Sequence, residues 1–143
     1  MTREILTTIK IGACELGALI GLFLGDVDGL IIALVAFAAV DYITGVLAGA
    51  VEHKLNSEIG FRGITKKVLL FIIVGVANIL DIYVIGSRAV TRTAVCLFYI
   101  ANEGLSIIEN SARIGLPIPE KLRVILEQLK EEDSKNERFR GND

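Results

Sequence analysis

The sequence predicts an all-α, polytopic membrane protein, and three observations carry that prediction. Of the 143 residues, 52% are hydrophobic and the mean hydropathy is +0.59. The apolar residues are segregated: Leu30–Val51 holds a single charged side chain, Asp41, whereas more than half of the residues from Glu120 onward are charged. The apolar stretches are also joined by short polar links whose lysines and arginines fall on one side, the pattern that orients helices in a bilayer. The length suits one domain. A net charge of −2 excludes a globally basic nucleic-acid binder. One His and two Cys exclude most metal sites and any disulfide framework.

Taken in order, the first apolar stretch is 11–25, interrupted by Glu15. At about 1.5 Å per residue it rises only about 22 Å, short of a hydrocarbon core of about 30 Å. It must recruit Thr7–Lys10 or lie partly in the interface. The link Asp26-Val27-Asp28-Gly29 leads to the second stretch, 30–51. A polar segment, Glu52–Lys67, precedes the third, 68–85, which holds Asn78 and Asp81. A turn at Gly86-Ser87 leads to the fourth, 90–108, with Arg92, Asn102 and Glu103. Four predicted hydrophobic helices thus make a membrane domain, 1–115, the alternative being three spans plus an interfacial first helix. Gly115-Leu116-Pro117-Ile118-Pro119 then breaks the helix, with Pro119 suited to a new first turn. Leu122, Ile125, Leu126 and Leu129 fall at i, i+3, i+4 and i+7, so 116–143 reads as a short amphipathic cytoplasmic helix and a charged tail.

Thirteen of the fifteen lysines and arginines lie on the side that holds both termini if the number of spans is even. Both ends are therefore expected in the cytoplasm of a multi-pass protein of the cytoplasmic membrane. Ile11-Gly12-Ala13-Cys14 is superficially like a lipoprotein box. Lys10 and two threonines occupy the place of its apolar run, so the segment is expected to be retained. Cys14 and Cys96 fall within spans as small apolar fillers.

There is no phosphate-binding loop, no glycine-rich dinucleotide turn and no His/Cys/carboxylate cluster at ligand spacing. No catalytic residue, cofactor or metal is expected, and the chain does not read as an enzyme. The informative residues are polar ones inside the spans: Glu15, Asp41, Asn78, Asp81, Arg92, Asn102 and Glu103. A charge at the bilayer centre costs about 2.5–3.5 kcal/mol on insertion scales, so each needs a partner or a wet surface. Asp81 and Arg92 lie at matched distances from the Gly86-Ser87 turn and are expected to form an ion pair near the outer face. Lys54, Arg62, Lys66 and Lys67 form a basic inner loop expected to rest on anionic headgroups. Ala13, Gly17, Gly21 and Gly25 repeat every four residues, and Gly45 and Gly49 follow Asp41 at the same spacing. Such small-residue stripes let helices pack closely in lipid, within the chain or between copies.

Six segments in order carry a family resemblance: Asp41-Tyr42-Ile43-Thr44-Gly45, Lys54-Leu55-Asn56-Ser57, Gly60-Phe61-Arg62-Gly63-Ile64-Thr65-Lys66-Lys67, Arg92-Thr93-Ala94-Val95, Tyr99-Ile100-Ala101-Asn102-Glu103-Gly104 and Gly115-Leu116-Pro117-Ile118-Pro119-Glu120-Lys121-Leu122. Together they resemble the toxin secretion/phage lysis holin family, of the phage holin family 4 type, over roughly Ala38–Leu129. The resemblance implies a non-enzymatic pore former that self-associates in the cytoplasmic membrane. Its lesions would release a cell-wall hydrolase (endolysin) or a large toxin, so the implied partners are the protein itself, lipid and that cargo. The competing readings are a small ion channel or proton-coupled transporter using Glu15, Asp41, Asp81 and Glu103, and a membrane scaffold that recruits a partner through Pro119–Leu129.

Overall fold

The structure, a computed structural model, describes residues 2–86, 89–125 and 127–128. Four long helices follow one another: α1 (Thr2–Leu24), α2 (Gly29–Val51), α3 (Ser57–Leu80) and α4 (Val90–Arg113). A single π-helical turn, Asp81–Ile85, extends α3. There is no strand among the described residues.

Each start has a local cause. In α1 the hydroxyls of Thr7 and Thr8 donate back to the carbonyls of Arg3 and Glu4, at 2.9 and 3.0 Å. Those bonds satisfy the two hydroxyls inside a helix that runs well ahead of Ile11, and its 23 residues reach about 34 Å. Asp28 caps α2 by accepting from the Ile31 amide at 3.1 Å. Asn56 caps α3 by accepting from Glu58 at 2.9 Å, which starts that helix at Ser57 rather than Val68. Three helices are long and apolar enough to cross a membrane: α1 from Arg3, α2, and α3 with its π turn. The first helix is in that set and the last is not, the reverse of the three-span alternative. The reason is that α4, equally long at 24 residues, carries the charges buried inside the bundle.

Helices α2 and α4 run parallel. Their starts are joined by Asp28 and Arg92, their ends by Glu52 and Arg113. The antiparallel α3 packs against both, and Ile31, Leu34, Leu70, Val74 and Cys96 close the apolar core. Leu34, Val74 and Cys96 are fully buried.

Helix α1 stands apart from this trio. Its side chains are exposed from Arg3 to Ile20, and it docks on α3 by its last turn. There the Phe23 ring lies over Gly75, where an added Cβ would come within 2.0 Å of it. Within the chain the expected stripe has no packing partner at its middle, and its last member leaves the helix. Gly17 and Gly21 have nothing within 4 Å, and Gly25, at φ +83°, makes the turn into α2 instead of extending the helix. Gly25 also lies against the Asn78 amide, so its lack of a Cβ serves both the turn and the close approach.

This joint yields a prediction. Gly75→Ala should expel Phe23 and cost about 1–3 kcal/mol by overpacking. Amide exchange should speed up at residues 20–24 while α2 and α4 keep their protection. Phe23→Ala should loosen the same residues, and combining the two should cost less than their sum; unchanged exchange in Gly75→Ala would show that the joint does not hold α1.

Beyond α4, residues 120–125 are helical, with Leu122 and Ile125 exposed. Leu126, Leu129 and the tail that follows lie outside the described residues, as does Ser87 of the expected turn.

Candidate functional site

Two polar clusters occupy the trio. The first joins all four helices at one end. Asp81, on the π turn, is fully buried, and its two carboxylate oxygens accept from the backbone amides of Thr91 and Arg92 at 2.9 and 2.8 Å. Asp81 thus supplies acceptors to the first turn of α4, whose N-cap position holds Ala89, a residue with no capping side chain. The Arg92 side chain turns away from this carboxylate. It donates to Asp28 at 2.7 Å, to the Leu24 carbonyl at 2.7 Å and to the Asp26 carbonyl at 2.6 Å. Asn78 donates to the Phe23 carbonyl at 3.1 Å. The carbonyls left open at the end of α1 are therefore filled by α3 and α4 side chains.

The expected Asp81–Arg92 ion pair is corrected accordingly. The two residues do meet, but through the Arg92 backbone, while the guanidinium takes Asp28. By hydropathy Asp28 belongs to the link between α1 and α2, and its place one residue before an apolar helix is the sequence signal for a cap. The Arg92 hydrogen bond holds the Asp28 carboxyl below the ordinary range.

The second cluster lies halfway along the trio. The Lys67 ammonium donates to both Asp41 and Glu103. All three side chains are largely buried, at 18%, 13% and 8% exposure. Lys67 is thus not an inner-loop residue on headgroups: α3 has already run from Ser57, which carries this ammonium inside the helices. From Asp41 the network continues towards the ends of α2 and α4. Asn110 donates to Asp41 at 3.2 Å and to Thr44 at 3.3 Å, and Arg113 donates to Asn110 at 3.2 Å. Arg113 also grips Glu52 through both oxygens, at 2.9 and 2.8 Å. Glu103, Lys67, Asp41, Asn110, Arg113 and Glu52 form one unbroken chain.

A cleft of about 610 Å³ opens along this chain, with Gly45, Gly49, Asn102 and Ser106 in its walls and Lys54, Arg62 and Lys66 on its lining. Gly60 and Gly63 lie against Tyr42, so the loop and helix motifs singled out by resemblance converge here. The two expected small residues of α2 act within the chain: Gly45 faces Asn110 and Gly49 faces Leu55. Sequence reading missed Asn110, Arg113 and Glu52. Asn110 lies seven residues after Glu103, on the same face of α4, but only if that helix continues past Ile108. Glu15 is not brought to either cluster; it is exposed on α1, with no ion-pair partner among the described residues. Cys96 is buried, Cys14 is exposed, and the two are not bonded. No group of metal-ligating side chains occurs among the described residues.

Arg113 pulls the Glu52 carboxyl down to about 2 from an ordinary 4.5. A depressed carboxylate contributes stability above its unfolded value and loses it as pH falls through its folded one. The contribution should therefore be complete above about pH 4.5 and fade towards pH 2. In thermal unfolding of the detergent-solubilised chain, Glu52→Gln should flatten the decline over that window; an unaltered slope would exclude the pair as its source.

The pattern of motifs has counterparts elsewhere. Residues 18–131 match the bacteriophage holin family. An uncharacterized protein of Listeria innocua is 42% identical over 118 residues, covering 82% of this chain and 84% of its own. A 14.9 kDa protein from the nagH 3′ region of Clostridium perfringens is 44% identical over 127 residues, 89% of this chain and 96% of its own. A protein of Bacillus phage phi105 named "Probable holin" is 39% identical over 106 residues, 71% of this chain and 78% of its own. No solved structure matches. With the family match covering most of the chain and three helices apolar enough to cross a membrane, this protein belongs to the bacteriophage holin family of non-enzymatic membrane proteins.

Proposed function

We propose that the chain is a holin that oligomerises in the cytoplasmic membrane and opens lesions for a cell-wall hydrolase or a large toxin. The family match over residues 18–131 carries this reading. The fold adds support: an exposed α1 with a face of small residues offers a surface to a second copy, and a charged chain half-enclosed by helices could line a wet path on assembly. In this reading α4 crosses with the other three helices, its charges neutralised by its neighbours, and both termini lie in the cytoplasm.

Coexpression with a cytosolic cell-wall hydrolase tests the function. A holin releases the hydrolase and the culture lyses abruptly; ion leakage without protein release would favour a channel or proton-coupled transporter built on Asp41, Lys67 and Glu103. A cysteine at Ser57 protected from an impermeant thiol reagent in intact cells, with native cysteines removed, would support the orientation. Labelling there would reverse it.

Assembly is tested at Gly21, which faces open space within the chain. Gly21→Leu should leave insertion intact, since leucine is favourable at a helix centre. Lysis should be lost and crosslinked oligomers depleted at normal membrane abundance, whereas Leu19→Ile should be silent. Unchanged oligomers and lysis time would remove α1 from the assembly interface.

A further inference from the structure

The mouth of the cleft carries charge that the charged chain does not use. Lys67 is neutralised by Asp41 and Glu103, Arg113 by Glu52, and Arg62 by Glu58 at 2.9 Å. Lys54 remains at the mouth, and Lys66, one residue before Lys67, lines the cleft further in. The carboxylate oxygen nearest Lys54, on Glu52, is 3.6 Å away and already accepts from Arg113 at 2.8 Å. Lys66 has no carboxylate within ion-pair distance among the described residues. The N-terminal end of α3 opens at the same mouth, with Asn56 and Ile59 on its lining, and adds the positive end of a long helix dipole.

Beside these cations stand apolar side chains. Leu55 and Ile59 line the cleft and are each 62% exposed. A free anion has no use for them, whereas a phosphate carried on a glyceride does. A zwitterionic headgroup would also bring its own ammonium up against Lys54, Arg62 and Lys66. We propose that this cleft, from its mouth at Lys54 to Lys66, is a binding site for the headgroup of an anionic phospholipid. Lys54 and Lys66 hold the phosphodiester, and Leu55 and Ile59 receive the upper part of the chains. Basic pockets between membrane helices are suited to such headgroups. The site rests on the membrane placement of the chain and is independent of whether the assembled protein forms a lesion.

Native mass spectrometry of the full purified chain, given equal phosphatidylglycerol and phosphatidylcholine, tests it. Retained adducts should favour phosphatidylglycerol by about tenfold or more, and Lys66→Gln alone should lower the preference by about fivefold. Lys54→Gln with Lys66→Gln should bring it near unity at unchanged helical content, whereas Lys54→Arg with Lys66→Arg should keep it. Removing the two basic residues of α1, by Arg3→Gln with Lys10→Gln, should leave it unaltered. Equal adducts of both lipids in the parent chain, or a preference that survives Lys54→Gln with Lys66→Gln, would overturn the site. An equal loss in the α1 variant would reduce it to diffuse charge, and displacement by excess inorganic phosphate would assign the mouth to a free anion. Because no lysis is measured, failure here and failure of the holin reading are separate results.

Discussion

Lys67→Met should be among the most damaging single substitutions in the chain, at about 3–5 kcal/mol, the cost of stranding buried charge. The variant leaves Asp41 and Glu103 facing each other in the middle of the helices with no cation between them. Membrane abundance and the unfolding midpoint in detergent should both fall sharply. The three charges do not balance, and this makes the response asymmetric. Glu103→Gln leaves one ammonium with one carboxylate and should cost clearly less than Lys67→Met. Combining Lys67→Met with Asp41→Asn and Glu103→Gln removes every charge, and stability should return towards the parent. If the triple variant is merely the sum of its parts, the three residues do not act as a unit, because groups in contact should be non-additive.

Arg92→Gln should cost a similar amount, about 3–5 kcal/mol, and its damage should spread further along the chain. A 3%-exposed guanidinium here ties α4 to Asp28 and to the carbonyls of Leu24 and Asp26. Its loss opens the end of α1 and removes the charge partner of the α2 cap together. Arg92→Lys should restore little, since one ammonium cannot reach three acceptors lying in different directions. Hydrogen exchange would show lost protection both at the last turn of α1 and at Ile31. Asp81→Asn should instead affect the first turn of α4, at about the 1 kcal/mol of a helix-cap loss. Equal exchange patterns for the Arg92 and Asp81 variants would mean that the two form one unit after all.

The helical membrane fold was legible because it rests on long apolar runs that need no tertiary information. The boundaries were less so. Arg62, Lys66 and Lys67 make the start of α3 look like a loop by hydropathy, yet Asn56-Ser57-Glu58 is a capping pattern that marks the helix start in front of them. Hydropathy places polar residues outside the helices, whereas Lys67 is held inside by Asp41 and Glu103, two carboxylates that lie within the predicted spans. The matched depths of Asp81 and Arg92 correctly brought the residues together. Depth alone does not say whether a carboxylate meets a side chain or the open amides of a helix start. Asp28 was hidden for the converse reason: its partner is distant in sequence, and only the parallel pairing of α2 with α4 brings it near Arg92.

The joint at Gly25 has a mechanical consequence. Helix α1 is held at one end, by Phe23 over Gly75 and by the contacts of Asn78 and Arg92, while its side chains from Arg3 to Ile20 are exposed. It is a rod about 34 Å long on a pivot. A change of about 20° at that pivot sweeps the far end through about 12 Å, more than the spacing between packed helices. A shift of about 1.7 Å across the last turn, about 5 Å long, is therefore geared up into the displacement of a whole helix width at Arg3.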